Sequence, residues 1–252
     1  MSYDSPEILK AFADRRTITF PLLSDSSSVA IQAYDVLNTE ATGQFKGMAR
    51  PGYFFIDTRG IIREKFFEAK YRERWSGNHV IRKLFPALGD DVTDRVEAPH
   101  LSLSIAQSDR TAFPGGRITL TADVQLPPDV HVYAPTVQGY KPIALVMDPT
   151  PEMALTPVQY PRAKVLYLSA IKERVPVLEG RFRLTQDVTV SSAAAFSNAL
   201  DPDGKTVAVT GRLEYQACDS KICYLPTSVP VRWQLHVLPL DRQRAPEGIQ
   251  HK

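Results

Sequence analysis

The sequence predicts two folds in series, an α/β segment followed by an all-β antiparallel sandwich. Three observations carry this. Helix and strand signals alternate as far as about Leu88. A polar, Pro/Gly-marked stretch follows, from Phe85-Pro-Ala-Leu-Gly-Asp-Asp91 to Ala98-Pro99. Beyond it only strand signals recur, separated by Pro- and Gly-rich turns. The expected organisation is an α/β domain over 1–85, a linker over 86–98, a sandwich over 99–240 and a tail over 241–252.

Ser5 can cap a first helix, with Pro6 at its first position and Glu7 complementing the dipole. Ile8, Leu9, Phe12 and Ala13 supply its apolar face. Ile18, Phe20 and Leu22 alternate as a strand, and Ser24-Asp-Ser-Ser-Ser leads into a second helix that buries Val29, Ile31, Ala33, Tyr34 and Val36. Gly52–Asp57 and Ile61–Phe67 flank Thr58-Arg-Gly60 as a hairpin, with apolar bulk enough for a strand covered on both faces. A last helix begins near Asn78 and uses Val80, Ile81 and Leu84. The sandwich strands are read at His100–Ile105, Arg117–Val124, His131–Tyr133, Ile143–Val146, Arg181–Leu184, Val207–Tyr215 and Val229–Val237.

The two cysteines of the chain, Cys218 and Cys223, lie in Tyr215-Gln-Ala-Cys218-Asp-Ser-Lys-Ile-Cys223-Tyr-Leu-Pro226, between the last two strands. Asp219 to Ile222 then form a hairpin-sized loop. If the cysteines close it, their Cα atoms lie roughly 4.5 to 5.5 Å apart, the spacing of opposed antiparallel residues, which a disulfide tolerates. A ring this small removes less chain entropy than a long crosslink does. Two readings stay open: a redox switch, or a staple that pins strand register. Exchange needs an exposed sulfur whose thiolate is supported. Lys221 supports it and Asp219 opposes it, while a solvated pair of loop charges is the plain alternative.

A formal net charge of +2 with mixed signs gives no reason to expect nucleic acid. The densest basic run, Lys70-Tyr-Arg-Glu-Arg74, contains an acid and reads as solvated surface. No apolar stretch approaches the roughly 20 residues that cross a bilayer, so membrane insertion is not expected. The first residues lack a basic region followed by an apolar core. A cytoplasmic location is expected as encoded, and a periplasmic one if the true N-terminus lies upstream. The histidines His79, His100, His131, His236 and His251 are scattered, so neither a metal nor a cofactor is expected. Asp90 and Asp91 read as a solvated turn in the linker.

Two resemblances add to this reading. Ser2-Tyr-Asp-Ser-Pro-Glu7 through Ile18-Thr-Phe-Pro-Leu-Leu-Ser-Asp25, then Arg50-Pro-Gly-Tyr-Phe-Phe-Ile-Asp57, resembles the later part of redoxin domains of the peroxiredoxin-like alkyl hydroperoxide reductase/thiol-specific antioxidant family. This implies a partial thioredoxin-like fold over residues 1 to about 85. Pro51 would match the family's cis-proline beside the active cysteine, and Asp57 the acid that ends the following strand. The family's reactive cysteine precedes the matched region, and this chain has no cysteine before Cys218. By this comparison the chain lacks the family's first strands and catalytic helix. Strands such as Tyr53–Ile56 are then expected to leave an exposed sheet edge or to self-associate.

From about Ala98 to Leu240 the chain is similar to the N-terminal domain of the DsbD thiol:disulfide interchange protein. Leu126-Pro-Pro-Asp-Val-His-Val-Tyr133 and the frame Tyr215-Gln-Ala-Cys218…Cys223-Tyr-Leu-Pro226 carry the similarity. It implies an immunoglobulin-like sandwich that exchanges electrons with thioredoxin-like or other thiol oxidoreductase partners. Cys223 would form the mixed disulfide and Cys218 would resolve it. The loop is a residue shorter than the family's, and Lys164–Glu173 would be the cap over the pair. Tyr133 and His131 would lie beneath that cap. On their residues alone they read as a packed tyrosine and a surface histidine. Three functions follow in order: a thiol:disulfide oxidoreductase module, a binding sandwich with a structural disulfide, and a peroxiredoxin-like antioxidant enzyme using Cys218 or Cys223.

Overall fold

The computed structural model describes residues 1–68, 70, 72–85, 88, 92–168 and 172–250. Asp90, Asp91, His251, Tyr71 of the basic run and residues 169–171 of the expected cap lie outside the described residues. The chain forms two compact units, Met1–Arg74 with Asp241–Lys252, and Trp75–Leu240.

In the first unit, helix α1 (Pro6–Arg16) forms where the capping signals place it: the Ser5 hydroxyl accepts from the Ile8 N–H, and Thr17 closes the helix in the left-handed region. Leu9 is buried, but Phe12 is exposed, so the expected apolar face is narrower than its sequence. No strand forms over Ile18–Leu22; only an isolated Ser2–Ser24 bridge occurs nearby, and Phe20 is exposed. Pro21 lacks a donor there, which weakens any ladder. Helix α2 (Val29–Ala33) is a short turn. The Asp25 carboxylate accepts from the N–H groups of Val29 and Ile31, and Ile31 and Val36 are buried while Val29 and Tyr34 are not.

Strands β1 (Gly52–Ile56) and β2 (Ile62–Phe67) form the expected hairpin. Asp57 organises its turn, its carboxylate accepting from Arg59 and Ile61 N–H groups, and Gly60 takes a positive φ of 78°. Among the described residues the sheet has two strands, and Tyr53, Ile56, Ile61 and Ile62 are exposed rather than covered on both faces. Residues 241–250 were expected as a separate tail but belong to this unit, where Asp241 pairs with Arg15 and Arg16. No cis peptide bond occurs among the described residues, so the bond before Pro51 is trans. Trans is the default for X–Pro unless packing locks the other isomer.

The remaining elements follow in order. They are β3 (Arg74–Trp75), α3 (Gly77–Leu84), β4 (Val92–Ala98), β5 (Leu101–Gln107), β6 (Thr111–Ala112), β7 (Gly116–Gln125), β8 (His131–Tyr133), β9 (Ala144–Met147) and β10 (Met153–Leu155). After them come β11 (Lys164–Leu168), β12 (Glu173–Glu179), β13 (Arg181–Val190), α4 (Ala194–Asn198), β14 (Lys205–Tyr215), β15 (Ala217–Cys218) and β16 (Thr227–Val237). In the second unit, one sheet runs β10-β13-β7-β5-β4 and a second runs β6-β16-β14-β9. Alternate residues of both point inward, among them Leu103, Ile118, Leu184, Leu213 and Trp233, and form the sandwich core. The Trp233 indole donates to the Ala106 carbonyl at 2.8 Å, satisfying its polar atom inside that core.

The expected linker is partly strand, because β4 pairs with β5 from Val92 to Ala98. Its Asp94, Arg95 and Glu97 are exposed while Val96 and Ala98 pack on the core. The polarity that reads as a linker is the outer face of an edge strand. A third sheet, β11-β12-β8-β15, adjoins the sandwich and carries Cys218, to which Cys223 is bridged.

Candidate functional site

β14 and β16 pair without a break from Lys205 opposite Val237 to Tyr215 opposite Thr227. The excursion between them, residues 216–226, is more than the four-residue loop that the sequence suggests. Ala217 and Cys218 leave the β14 sheet and pair as β15 with β8, which sets Cys218 opposite His131. Cys218 and Cys223 then face each other as an antiparallel bridge and are joined by a disulfide, with Cα atoms 4.0 Å apart. This is closer than the expected window. The flanking bonds, Asp219 N–H to Ile222 O and Tyr224 N–H to Ala217 O, belong to the neighbours on either side. The cysteines therefore occupy the non-hydrogen-bonded position of the ladder, where strands approach most closely.

The two sulfurs have unequal access. Cys218 is 1% exposed and packs with Tyr133, Val175 and Val177. Cys223 is exposed, between the exposed Ile222 and Leu225. Leu166 and Leu168 of β11, with Val137 and Tyr140, cover the cluster around Cys218. The β11–β12 hairpin thus stands where the expected cap would stand, with residues 169–171 of its turn outside the described residues.

Tyr133 is buried, as expected, and its hydroxyl lies 3.6 Å from the Cys223 Sγ. Its ring stacks on Tyr140 at 4.6 Å, and the Tyr140 hydroxyl donates to Glu173 at 2.6 Å. Burial first, then the Glu173 charge, raises the Tyr133 phenol. The bond to Glu173 pushes Tyr140 up to about 12. Both hydroxyls therefore stay protonated at neutral pH.

His131 is not the surface histidine its sequence suggests: it is 4% exposed, because β8 lies between β12 and β15. Its ring meets Tyr133 edge-on, and Nε2 has no hydrogen-bond partner among the described residues. Burial lowers its pKa, outweighing the opposing pull of Glu179 and Asp219.

The ring between the cysteines is organised by Asp219. Its Oδ1 accepts from the Lys221 and Ile222 N–H groups at 2.7 and 2.8 Å, and its Oδ2 accepts from the Tyr224 hydroxyl at 2.7 Å. These bonds, the Tyr224 one first, lower its pKa to about 2. Asp219 is a fixed anion rather than a loosely solvated one. Lys221 enters this arrangement through its backbone, and its side chain is exposed. Tyr224 in turn stacks on His100, with ring centres 3.6 Å apart.

The structure brings Cys218, Cys223, Tyr133, His131 and Lys221 together, while Pro51 belongs to the first unit. Sequence reasoning missed Tyr140, Tyr224 and His100 as neighbours of the pair. The signal for Tyr224 was its place in the Cys-Tyr-x-Pro frame. For Tyr140 it was a lone aromatic in the Pro/Gly-rich loop Pro135–Ile143.

Fold and site together define a class: an antiparallel sandwich that presents one sulfur of a buried-and-exposed cysteine pair at the end of a hairpin. The chain belongs to the family described as "Thiol:disulfide interchange protein DsbD, N-terminal", whose model matches residues 104–232. The AhpC/TSA family model matches residues 1–65. The fold class is accordingly a thioredoxin-like α/β part followed by an immunoglobulin-like sandwich. Among solved structures, the N-terminal periplasmic domain of ScsB from Proteus mirabilis is 13% identical over 57% of this chain and 51% of its own, with a TM-score of 0.39. The reduced DsbD N-terminal domain of Neisseria meningitidis is 14% identical over 46% of this chain and 77% of its own, with a TM-score of 0.30. The chain thus spans about half the length of the first of these. No curated protein sequence matches it.

Proposed function

We propose that the chain is a thiol:disulfide oxidoreductase module that exchanges electrons with a thioredoxin-like partner protein through Cys218 and Cys223. The observation that carries this reading is the asymmetry of the pair, an exposed Cys223 bonded to a buried Cys218. Exchange proceeds by in-line attack of a thiolate on a disulfide sulfur. In the reduced chain the Cys223 thiolate attacks a partner disulfide. A Cys223–partner bond forms, and the partner's other sulfur leaves as a thiolate and is protonated by solvent. The Cys218 thiolate then attacks the Cys223 Sγ, closing the Cys218–Cys223 bond and expelling the partner's second thiolate. The chain loses two electrons and the partner gains two; the reverse sequence reduces the chain.

Titration of the pair against dithiothreitol, with a thioredoxin-fold protein as exchange partner, tests this. The expected result is a potential above about −300 mV, outside the range of inert structural disulfides, with transfer abolished in Cys223→Ser. A potential below that value together with no transfer supports the structural-staple reading and overturns this one.

A further inference from the structure

The loop that carries Cys223 is held by more than the disulfide, and this matters when the disulfide opens. Four residues separate the cysteines, and three donors in or beside them, the Lys221 N–H, the Ile222 N–H and the Tyr224 hydroxyl, converge on the one carboxylate of Asp219. An aspartate that accepts from N–H groups two and three residues on makes a local turn that needs no tertiary help. Here the turn is also tied to the body of the sandwich. Tyr224 stacks on His100, its carbonyl accepts from the Gln216 side chain at 2.9 Å, and its N–H donates to the Ala217 carbonyl at 2.8 Å. None of these contacts uses a sulfur atom. Cleaving the Cys218–Cys223 bond therefore removes none of them directly.

Resting on the exchange reading above, we propose that Asp219 is the positioning residue of the pair: with Tyr224 it clamps the loop so that a reduced Cys223 stays over Cys218 for the resolving attack. Reduction breaks the covalent ring, and an untethered loop would spread the two sulfurs over many conformations. The effective concentration of Cys218 at the mixed disulfide would then fall. The clamp keeps it high. The resolving step itself is unchanged in its balance: Cys218 thiolate in, partner thiolate out, one S–S bond formed and one broken. Asp219 touches neither sulfur in this account and acts only through the loop.

The geometry separates Asp219→Asn from Asp219→Ala. Asparagine keeps an oxygen for the Lys221 and Ile222 N–H groups and retains the turn, whereas alanine removes it. The measurement is the equilibrium constant for closing the Cys218–Cys223 disulfide with the reduced/oxidised glutathione couple, on the full chain. Asp219→Ala is expected to lower it about tenfold or more, and Asp219→Asn to stay within about threefold of the parent. Tyr224→Phe, a smaller change, is expected to fall between them. In the reduced parent, the amides of Lys221 and Ile222 should remain protected from hydrogen exchange, and in Asp219→Ala they should not. An unchanged equilibrium in Asp219→Ala overturns the proposal. So does an equal loss in Asp219→Asn, which would assign the effect to charge. The glutathione equilibrium requires only that the pair be reducible. A chain that transfers no electrons to any protein yet shows this pattern would overturn the function and keep the clamp.

Discussion

Tyr133 is the side chain whose removal reads most directly on the exposed sulfur. Its hydroxyl, 3.6 Å from the Cys223 Sγ, stays protonated at neutral pH because burial and Glu173 raise it. It can therefore donate to a Cys223 thiolate, and a hydrogen bond to a charged group is worth about 1.5 to 3 kcal/mol. Tyr133→Phe keeps the ring that stacks on Tyr140 and loses only the donor. We expect alkylation of Cys223 in the reduced protein to slow about tenfold at neutral pH, with thermal stability changed little. Equal alkylation rates in the two proteins would show that the hydroxyl does not support the thiolate. Asp219 adds no titration of its own in this range, since its hydrogen bonds hold it at about 2.

Among the elements, helix α3 shows how a segment with weak sequence signals is fixed by polar contacts. Ser76 caps it by accepting from the His79 N–H and donates to Asp109, which also accepts from Asn78 and Ser108. His79, 4% exposed, bonds through Nδ1 to the Thr119 hydroxyl of β7, which donates to Asp187 of β13. Burial lowers the His79 pKa from 6.5 to about 4, against the opposing pull of Asp187. The unfolded chain therefore binds a proton that the folded chain refuses between these values. Stability is complete above about 6.5 and falls as pH drops toward about 4, by up to roughly 3 kcal/mol. Urea unfolding across this window should show the fall, and His79→Gln should flatten it; an equal slope in both would contradict it.

Helix α3 also marks what the sequence made legible. Val80 is buried as its pattern suggested, whereas Ile81 is exposed, and Asp109, Thr119 and Asp187 lie too far along the chain for any local pattern to reveal them. The same holds for β4, whose Asp94, Arg95 and Glu97 read as linker until pairing with β5 gives them an outer face. The long hairpin β14–β16 was plain, because its alternation is matched by the burial of Val207, Val209, Leu213, Val231, Trp233 and Leu235. The switch of Ala217–Cys218 to a different sheet was not, since it depends on β8 rather than on anything within the loop. At the site, the cysteines and Tyr133 were identified from the sequence and its resemblance. The resemblance placed His131 beneath the cap, whereas its residue type read as surface, and its burial follows from β8 lying between β12 and β15.

At the scale of the whole molecule, the cysteine pair is a small addition to a fold that already has its own core. The ring it closes holds only four intervening residues, and loop closure of that size contributes about 2 kcal/mol in the chain-entropy account. The sandwich buries Leu103, Ile105, Leu184, Leu213 and Trp233 between its two sheets without using either sulfur. Reduction is therefore expected to lower stability by about 2 kcal/mol and leave the far-ultraviolet circular dichroism of the native protein. Unfolding on reduction would mark the disulfide as a staple. Whether Cys223 is the sulfur open to partners and Cys218 the one held in reserve is read from the position of the first mixed disulfide. The native oxidised protein is reacted briefly with glutathione, acid-quenched, digested and mapped by mass spectrometry. Glutathione is expected on Cys223. Glutathione on Cys218, or no adduct until the protein is unfolded, would contradict it.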